Sequence, residues 1–242
     1  WKDVQAMAAS AASACEATVE QALVMSTGII GEYLPMDKVL PAAAQAVTGL
    51  GDDEAAFMSA ATGILTTDQG PKVASCNVEI EGRAVQLVGM AKGAGMIGPN
   101  MATMLAVVMT DAVINAGDLQ EALGRAIDQS FNCISVEGHT STNDTVLLLA
   151  SGASGGSSLS GEALDQFSEA LDALCVDLAK QIPADGEGAS HLITIDVQGA
   201  SSREDARQIA QTVANSNLVK AGVAGADPNW GRIISAVGYA GV

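Results

Sequence analysis

The chain has 242 residues, of which 48% are hydrophobic and 16% are charged. A chain of this size and composition can bury a substantial core, in one large domain or two smaller ones. The formal net charge of −17 disfavours nucleic acid and membrane surfaces as partners, because both are negatively charged.

The first quarter of the chain predicts helices joined by turns. Residues 4–20, 37–47 and 54–65 are rich in alanine and other helix-forming residues. A short apolar run at 22–25 stops at Ser26-Thr27-Gly28, which on its own indicates an ordinary turn at the end of a strand.

The middle of the chain predicts buried strands and one helix. The sequence Glu81-Gly82 separates two strand-like runs and predicts a hairpin turn. A helix over 118–131 carries apolar residues at helical spacing and begins with a capping Asp118. The predicted strands cover residues 73–80, 83–90, 104–109 and 146–150.

The last third of the chain predicts a surface loop at 152–158, followed by helices and strands. Residues 162–182 form a long amphipathic helix, and 203–216 a shorter one. Residues 192–197 alternate as in a strand, and the apolar run 233–237 is a further strand candidate. Because helices and strands alternate throughout, we expect a layered α/β fold.

The cysteines and the chain ends carry two further expectations. The four cysteines never form a CxxC pair, so we expect small buried side chains in a reducing compartment rather than disulfides or zinc ligands. They are Cys15, Cys76, Cys133 and Cys175. The chain begins at Trp1 without a methionine and ends in an apolar stretch, so we expect a fragment of a longer protein.

The densest chemical signal lies in residues 92–105, which read KGAGMIGPNMATML. The spacing of Gly93, Gly95 and Gly98 matches a dinucleotide-binding fingerprint, which requires a helix after the glycines. Pro99 disfavours a helical conformation at Gly98, and the next apolar run is strand-like. We therefore reject a nucleotide cofactor at this loop.

The same loop is suited to exposing a nucleophile. Attack by the Thr103 hydroxyl on the Ala102 carbonyl, followed by hydrolysis, would leave Thr103 with a free α-amine. An α-amine has a pKa of about 7.7–8.0, so it can accept the proton of its own hydroxyl near neutral pH. A threonine that opens a strand is also simply a good β-former, and composition alone does not separate the two interpretations.

The chain resembles the ornithine acetyltransferase (ArgJ-type) family over nearly its whole length. The hallmark of that family, KGxGMIxPxMATML, is matched at every fixed position by residues 92–105. Further motifs occur in the family's order, at residues 26–31, 66–68, 141–145, 149–152, 185–189 and 227–232. The resemblance implies a layered αββα-type sandwich of the ornithine acetyltransferase and DmpA-like class.

The resemblance also implies the catalytic residues. Thr103 would be the nucleophile, after self-cleavage between Ala102 and Thr103. Thr27 and Gly28 would form the oxyanion hole, for which one hydroxyl and one backbone N–H at a sharp turn are suitable donors. The two pieces of the mature protein would then contain residues 1–102 and 103–242.

Substrate binding would fall to four residues. Thr66, Lys92 and Glu187 would bind substrate together with Thr103, and Thr67 is almost as plausible as Thr66. Lys92 and Glu187 supply one cation and one anion, which complement an α-amino-acid head. The resemblance gives Asn143 and Asp144 a structural role near the site.

The implied reaction is acetyl transfer from N2-acetyl-L-ornithine to L-glutamate in arginine biosynthesis, through a Thr103 acyl-enzyme. Such an ester stores the activation, so neither a metal nor an organic cofactor is required. The resemblance implies a cytoplasmic α/β heterotetramer and leaves open whether acetyl-CoA is a second donor. Two alternatives remain: an N-terminal-nucleophile amidohydrolase that transfers the acyl group to water, and an uncleaved subunit that only binds amino acids.

Overall fold

A computed structural model of the chain describes residues 1–98 and 103–242, which divide into the two units Trp1–Ile64 and Leu65–Val242. The first unit holds three helices, with α1 (Lys2–Ala14) packed against α2 (Met36–Ala46). The third, α3 (Glu54–Gly63), begins where the Asp53 side chain accepts a hydrogen bond from the N–H of Ala56. The helices predicted from the alanine-rich segments of this part of the sequence are confirmed.

The first predicted helix is shorter than the sequence suggested. It ends at Ala14, and Glu16 has a φ of 55°, which a right-handed helix cannot contain. A single 3-10 turn, Val19–Gln21, follows.

Four strands of the second unit form one mixed sheet. They are β1 (Lys72–Ile80), β2 (Arg83–Lys92), β3 (Leu105–Thr110) and β4 (Thr145–Ala150), in the order β1-β2-β3-β4. The pairs β1–β2 and β2–β3 are antiparallel, and β3–β4 is parallel. Glu81 and Gly82 have φ values of 51° and 73°, as a two-residue hairpin turn with the right strand twist requires. The predicted hairpin is confirmed.

Two helices complete the α/β layers. The first, α4 (Ala116–Gln129), lies in the crossover from β3 to β4. The second, α5 (Glu162–Ala184), packs against β1, β2 and α4. Gly89 leaves room for this helix, because a Cβ there would lie 2.7 Å from Leu178 Cδ1. The core between α5 and the sheet includes Val85, Leu87, Val108, Phe167, Leu171, Leu174 and Ile182.

Two predicted details of this unit are corrected. The N-cap of α4 is Asn115, whose side chain accepts from the N–H of Asp118, so Asp118 lies in the first turn instead. Strand β4 is half-buried rather than buried, because it lies at the edge of the sheet.

The C-terminal part is helical where the sequence suggested a strand. It contains α6 (Arg203–Ala214), α7 (Asn217–Ala224) and α8 (Trp230–Gly238). The strand prediction at 233–237 is wrong, because Asn229 caps a helix there and a short apolar run does not distinguish the two structures. Helix α7, capped by Ser216, was not predicted.

The expected strand at 192–197 and the expected burial of the cysteines also need correction. Among the described residues, 192–197 pair with no other strand. Alternating apolar and polar residues indicate only that one face of a segment is buried, whereas a strand also needs a neighbouring strand to pair with. All four cysteines are free, but only Cys175 is buried, whereas Cys15 and Cys133 are exposed.

Candidate active site

The two ends of the loop 93–104 meet where the paired strands β2 and β3 end and begin, at one end of the sheet. Lys92, the last residue of β2, pairs in register with Leu105, the first residue of β3. This pairing brings the Lys92 ammonium to the Thr103 segment, with Nζ 3.4 Å from the Thr103 carbonyl oxygen. The antiparallel register therefore brings the lysine and the threonine of the motif together.

Lys92 is buried, with 2% of its surface exposed. Its Nζ lies 3.8 Å from Asp68 Oδ2. Burial lowers the pKa of the Lys92 ammonium, while the negative charges of Asp68 and Asp144 oppose this shift and the positive charge of Lys72 adds to it. The charge of Lys92 thus depends on its carboxylate neighbours.

Asp68 is the centre of a buried cluster of charged side chains, which it forms with Lys92, Lys72 and Asp185. The side chain of Asp68 has no exposed surface. Oδ1 accepts the N–H of Gly93 at 2.6 Å and Lys72 Nζ at 2.8 Å. Oδ2 accepts the N–H of Thr66 at 3.1 Å. Burial alone would raise the pKa of Asp68, but the hydrogen bonds from Lys72, Gly93 and Thr66 outweigh it and hold the pKa below its ordinary value.

Lys72 extends the cluster to the end of α5. Its Nζ lies 2.6 Å from Oδ2 of Asp185, the C-cap residue of that helix, and 3.3 Å from the carbonyl oxygen of Gly70. Asp185 Oδ2 also accepts the N–H of Gln69 at 3.0 Å. The chain of charges Lys92–Asp68–Lys72–Asp185 therefore holds three separate segments together.

Asp144 holds the backbone directly after Thr103. Its Oδ1 accepts the N–H of Met104 at 2.8 Å, while Lys92 reaches the carbonyl oxygen of the same peptide from the other end. Burial raises the pKa of Asp144 to about 6, although the Met104 N–H and the charge of Lys92 oppose the shift. The Thr103–Met104 peptide is thus fixed at both of its polar atoms.

Two buried oxygens at this peptide have no hydrogen-bond partner within residues 1–98 and 103–242. They are Thr103 Oγ1 and Asp144 Oδ2. A buried hydroxyl without a partner is uncommon in folded proteins, and it calls for an explanation such as a catalytic role.

The loop after β2 brings Glu187 to the same end of the sheet. The N–H of Glu187 donates to the Ala94 carbonyl oxygen at 2.7 Å. The Glu187 carboxylate lies over Gly95, where a Cβ would be 2.7 Å from Oε1. Gly93 has a φ of 148°, which few other residues adopt, so the backbone there favours glycine. A side chain at Gly95 would displace the Glu187 carboxylate.

Not every predicted site residue falls in this cluster. Thr66 contributes its backbone N–H, and its side chain is exposed like that of Thr67. Thr27 and Gly28 belong to the first unit, and their role as the oxyanion hole stays a prediction. Ala102, and with it the predicted cleavage site, lies outside the described residues.

Sequence reasoning assigned no role to three members of the cluster, namely Asp68, Lys72 and Asp185. Asp68 and Asp185 belong to motifs that carried the resemblance, which was the available signal. The rejection of a dinucleotide site agrees with the structure, since strand β3 begins at Leu105 and pairs antiparallel with β2.

In the part of the chain that the structure describes, we find no helix with the length and apolar character needed to cross a membrane.

This chain is similar in sequence to a family of known proteins. The chain matches the model of the ArgJ family over residues 1–242. It is 49% identical over 242 residues to the arginine biosynthesis bifunctional protein ArgJ of Symbiobacterium thermophilum, covering 99% of this chain and 60% of that protein. The protein of the same name from Methylococcus capsulatus is 48% identical over 242 residues, covering 96% and 59%. The chain thus spans about 60% of the length of these curated relatives.

A solved structure resembles part of the fold. The crystal structure of arginine biosynthesis bifunctional protein ArgJ from Bacillus halodurans, at 2.00 Å resolution, matches with a TM-score of 0.55 and 47% sequence identity. The match covers 56% of this chain and 64% of that chain. The predicted layered α/β class is confirmed, and the sheet of the second unit is mixed.

Proposed function

This chain belongs to the ArgJ family. We propose that it carries the nucleophile of an acetyltransferase that moves acetyl from N2-acetyl-L-ornithine to L-glutamate. One observation carries the proposal. The Thr103–Met104 peptide is fixed by Lys92 and Asp144, while the Thr103 hydroxyl oxygen is buried and unpaired among the described residues. The name of the relatives supports placing this activity in arginine biosynthesis.

Self-cleavage is the first chemical step. The Thr103 hydroxyl attacks the Ala102 carbonyl carbon, the peptide C–N bond breaks, and the Thr103 nitrogen takes a proton to become an amine. Water then hydrolyses the resulting ester and releases the Ala102 carboxylate. Fixing the next peptide keeps the hydroxyl in place, and such positioning is a large part of the gain in intramolecular reactions.

Transfer then follows a ping-pong course. The Thr103 α-amine takes the hydroxyl proton as the oxygen attacks the acetyl carbonyl, and it returns a proton to the ornithine nitrogen as that amine leaves. The glutamate amine next attacks the Thr103 ester, which regenerates the hydroxyl and releases N-acetylglutamate. Thr27 and Gly28 are the proposed donors to the negative oxygen of each tetrahedral intermediate.

The proposed substrate-binding residues offer charges that complement those of the substrates. Lys92 offers a cation to the α-carboxylate that both substrates carry. Glu187 offers an anion to a substrate ammonium, which in N2-acetyl-L-ornithine is that of the side chain, because the α-nitrogen is acylated. Thr66 adds a hydroxyl on an exposed side chain. Acetyl-CoA as a second donor, and assembly of the pieces into a heterotetramer, belong to the same proposal.

The sheet explains how the proposed pieces 1–102 and 103–242 would stay together. Strand β2 precedes the cleavage site and β3 follows it, yet the two strands pair over six residues from Leu87 to Lys92. The ladder and the α5 helix above it would therefore hold the new chain end at Thr103 in place after the cut.

The test compares Thr103→Ala with the unchanged protein. We expect the purified protein to form N-acetylglutamate from acetylornithine and glutamate, and Thr103→Ala to be uncleaved and inactive. Thr62→Ala on the exposed face of α3 is a matched control that should retain full activity. Acetyl transfer by Thr103→Ala would disprove the assigned nucleophile.

The same assay separates the alternatives. Release of acetate from acetylornithine at the same rate with and without glutamate would identify an amidohydrolase instead. An uncleaved protein that binds acetylornithine but never transfers its acetyl group would identify a binding subunit.

A further inference from the structure

The geometry points to Asp68 as a positioning residue that fixes the Lys92 ammonium and the Thr66 backbone for a substrate carboxylate. This inference rests on the proposed function of Lys92 and Thr66. It gives a role in the reaction to a residue that does not itself touch substrate.

The two oxygens of Asp68 serve the two segments that carry these residues. Oδ2 accepts the Thr66 N–H at 3.1 Å and faces Lys92 Nζ at 3.8 Å. Oδ1 accepts the N–H of Gly93, the residue after Lys92, at 2.6 Å. One buried side chain therefore sets the distance between the start of the loop and the turn at Thr66.

Lys72 makes the short ion pairs of the cluster, so the charge of Lys92 is only partly neutralised and remains available to a ligand. It lies 2.8 Å from Asp68 and 2.6 Å from Asp185, so its positive charge is matched at short range. Lys92 lies farther from Asp68, at 3.8 Å, and its hydrogen bond to the Thr103 carbonyl oxygen is a long one of 3.4 Å. An ammonium has three N–H donors, so Lys92 retains capacity for a carboxylate.

The charge of Asp68 also matters for the state of Lys92. The charged groups that act on Lys92 are Asp68 and Lys72 on one side and Asp144 on the other. Without the negative charge of Asp68, burial and Lys72 would favour the neutral amine, which binds a carboxylate weakly. A purely structural ion pair would affect stability without this effect on binding.

The first experiment measures the affinity of the purified protein for L-ornithine by calorimetry over a series of pH values, because burial lowers the pKa of Lys92. We expect Asp68→Asn to weaken binding by about 10- to 100-fold, as expected for loss of a charged hydrogen-bond partner. We also expect the pH above which affinity falls to be lower than in the unchanged protein. Asp177→Asn, on the exposed face of α5, is the matched control.

A second variant covers the case in which Asp68→Asn does not fold. Asp68→Glu keeps the charge but changes the reach of the carboxylate. We expect it to raise the KM for acetylornithine at least several-fold while retaining most of kcat, with the pH dependence of binding unchanged. Unchanged KM and affinity in a folded variant with lowered stability would overturn the inference.

The outcomes for the two proposals differ. If the unchanged protein binds ornithine but transfers no acetyl group, the proposed function fails, whereas the affinity series still tests Asp68. If the unchanged protein transfers acetyl and both Asp68 variants bind ornithine normally at every pH, only the inference about Asp68 fails. If the unchanged protein does not bind ornithine, both fail.

Discussion

The two ends of the β1–β2 hairpin carry similar ion pairs in opposite surroundings. At the turn, Arg83 Nη2 lies 2.7 Å from Glu81 Oε2, and both side chains are partly exposed. At the other end, Lys72 Nζ lies 2.8 Å from Asp68 Oδ1, and both side chains are almost fully buried. Exposed pairs contribute about 0–1 kcal/mol, whereas removing one partner of a buried pair costs about 3–5 kcal/mol.

The buried pair is retained for a purpose other than stability. Apolar residues of similar volume often replace a buried ion pair without loss, so a fold does not need such a pair. The buried end of the hairpin is also the end at which Lys92 meets Thr103. We therefore interpret the buried charges as part of the proposed active site, and the exposed pair as a surface feature.

The largest effect on stability is expected from Lys72→Met. It leaves Asp68 and Asp185 buried or half-buried without their short-range cation. The free energy of unfolding should fall by about 3–5 kcal/mol, measured by urea denaturation. A loss below about 1 kcal/mol would mean that the two ends of the hairpin do not differ in the way described here.

A pH-dependent effect is expected from Asp144→Asn. Since burial raises the pKa of Asp144 from 3.8 to about 6, the folded state binds its proton more tightly than the unfolded state. This stabilisation is complete below about pH 4 and is lost as the pH rises through about 6. The free energy of unfolding of the unchanged protein, minus that of Asp144→Asn, should therefore decrease from pH 4 to pH 7.

Denaturation curves at several pH values measure this difference. Thr62→Ala has no titratable side chain and should differ from the unchanged protein by a constant amount. A constant difference for Asp144→Asn as well would show that Asp144 is not buried against Met104 in the way described.

The smallest effect is expected from Arg83→Met at the turn. Arg83 donates to Glu81 Oε2 and to the Gly155 carbonyl oxygen, and the side chain is partly exposed. We expect a change of about 0–1 kcal/mol in the free energy of unfolding, and one that diminishes further in high salt. A loss as large as that of Lys72→Met would remove the contrast between the two ends.

Local patterns predicted most of the second unit. The Glu81-Gly82 turn fixed the hairpin, and the apolar stripe over 162–182 predicted α5, because both signals are contained within one element. The prediction failed at 233–237, where a run of five residues is too short to distinguish a strand from a helix. At 192–197 it failed because pairing requires a neighbour that the segment itself does not encode.

The site was predictable only in part for a similar reason. Lys92 and Thr103 share one motif, so their proximity follows from a turn between paired strands. Lys72 and Asp185 lie 113 positions apart, and an isolated lysine or aspartate ordinarily indicates a solvated surface group. Only the folded chain shows that these side chains are buried together.

The proposed reaction depends on Thr103 becoming a chain end and then carrying the acetyl group. The most direct test is an intact-mass measurement of the purified protein after incubation with acetylornithine in the absence of glutamate. We expect a polypeptide that begins at Thr103 and is heavier by one acetyl group, which is lost when glutamate is added. A chain that is unbroken before Thr103 yet transfers acetyl, or an acetyl group attached elsewhere, would contradict the proposed reaction.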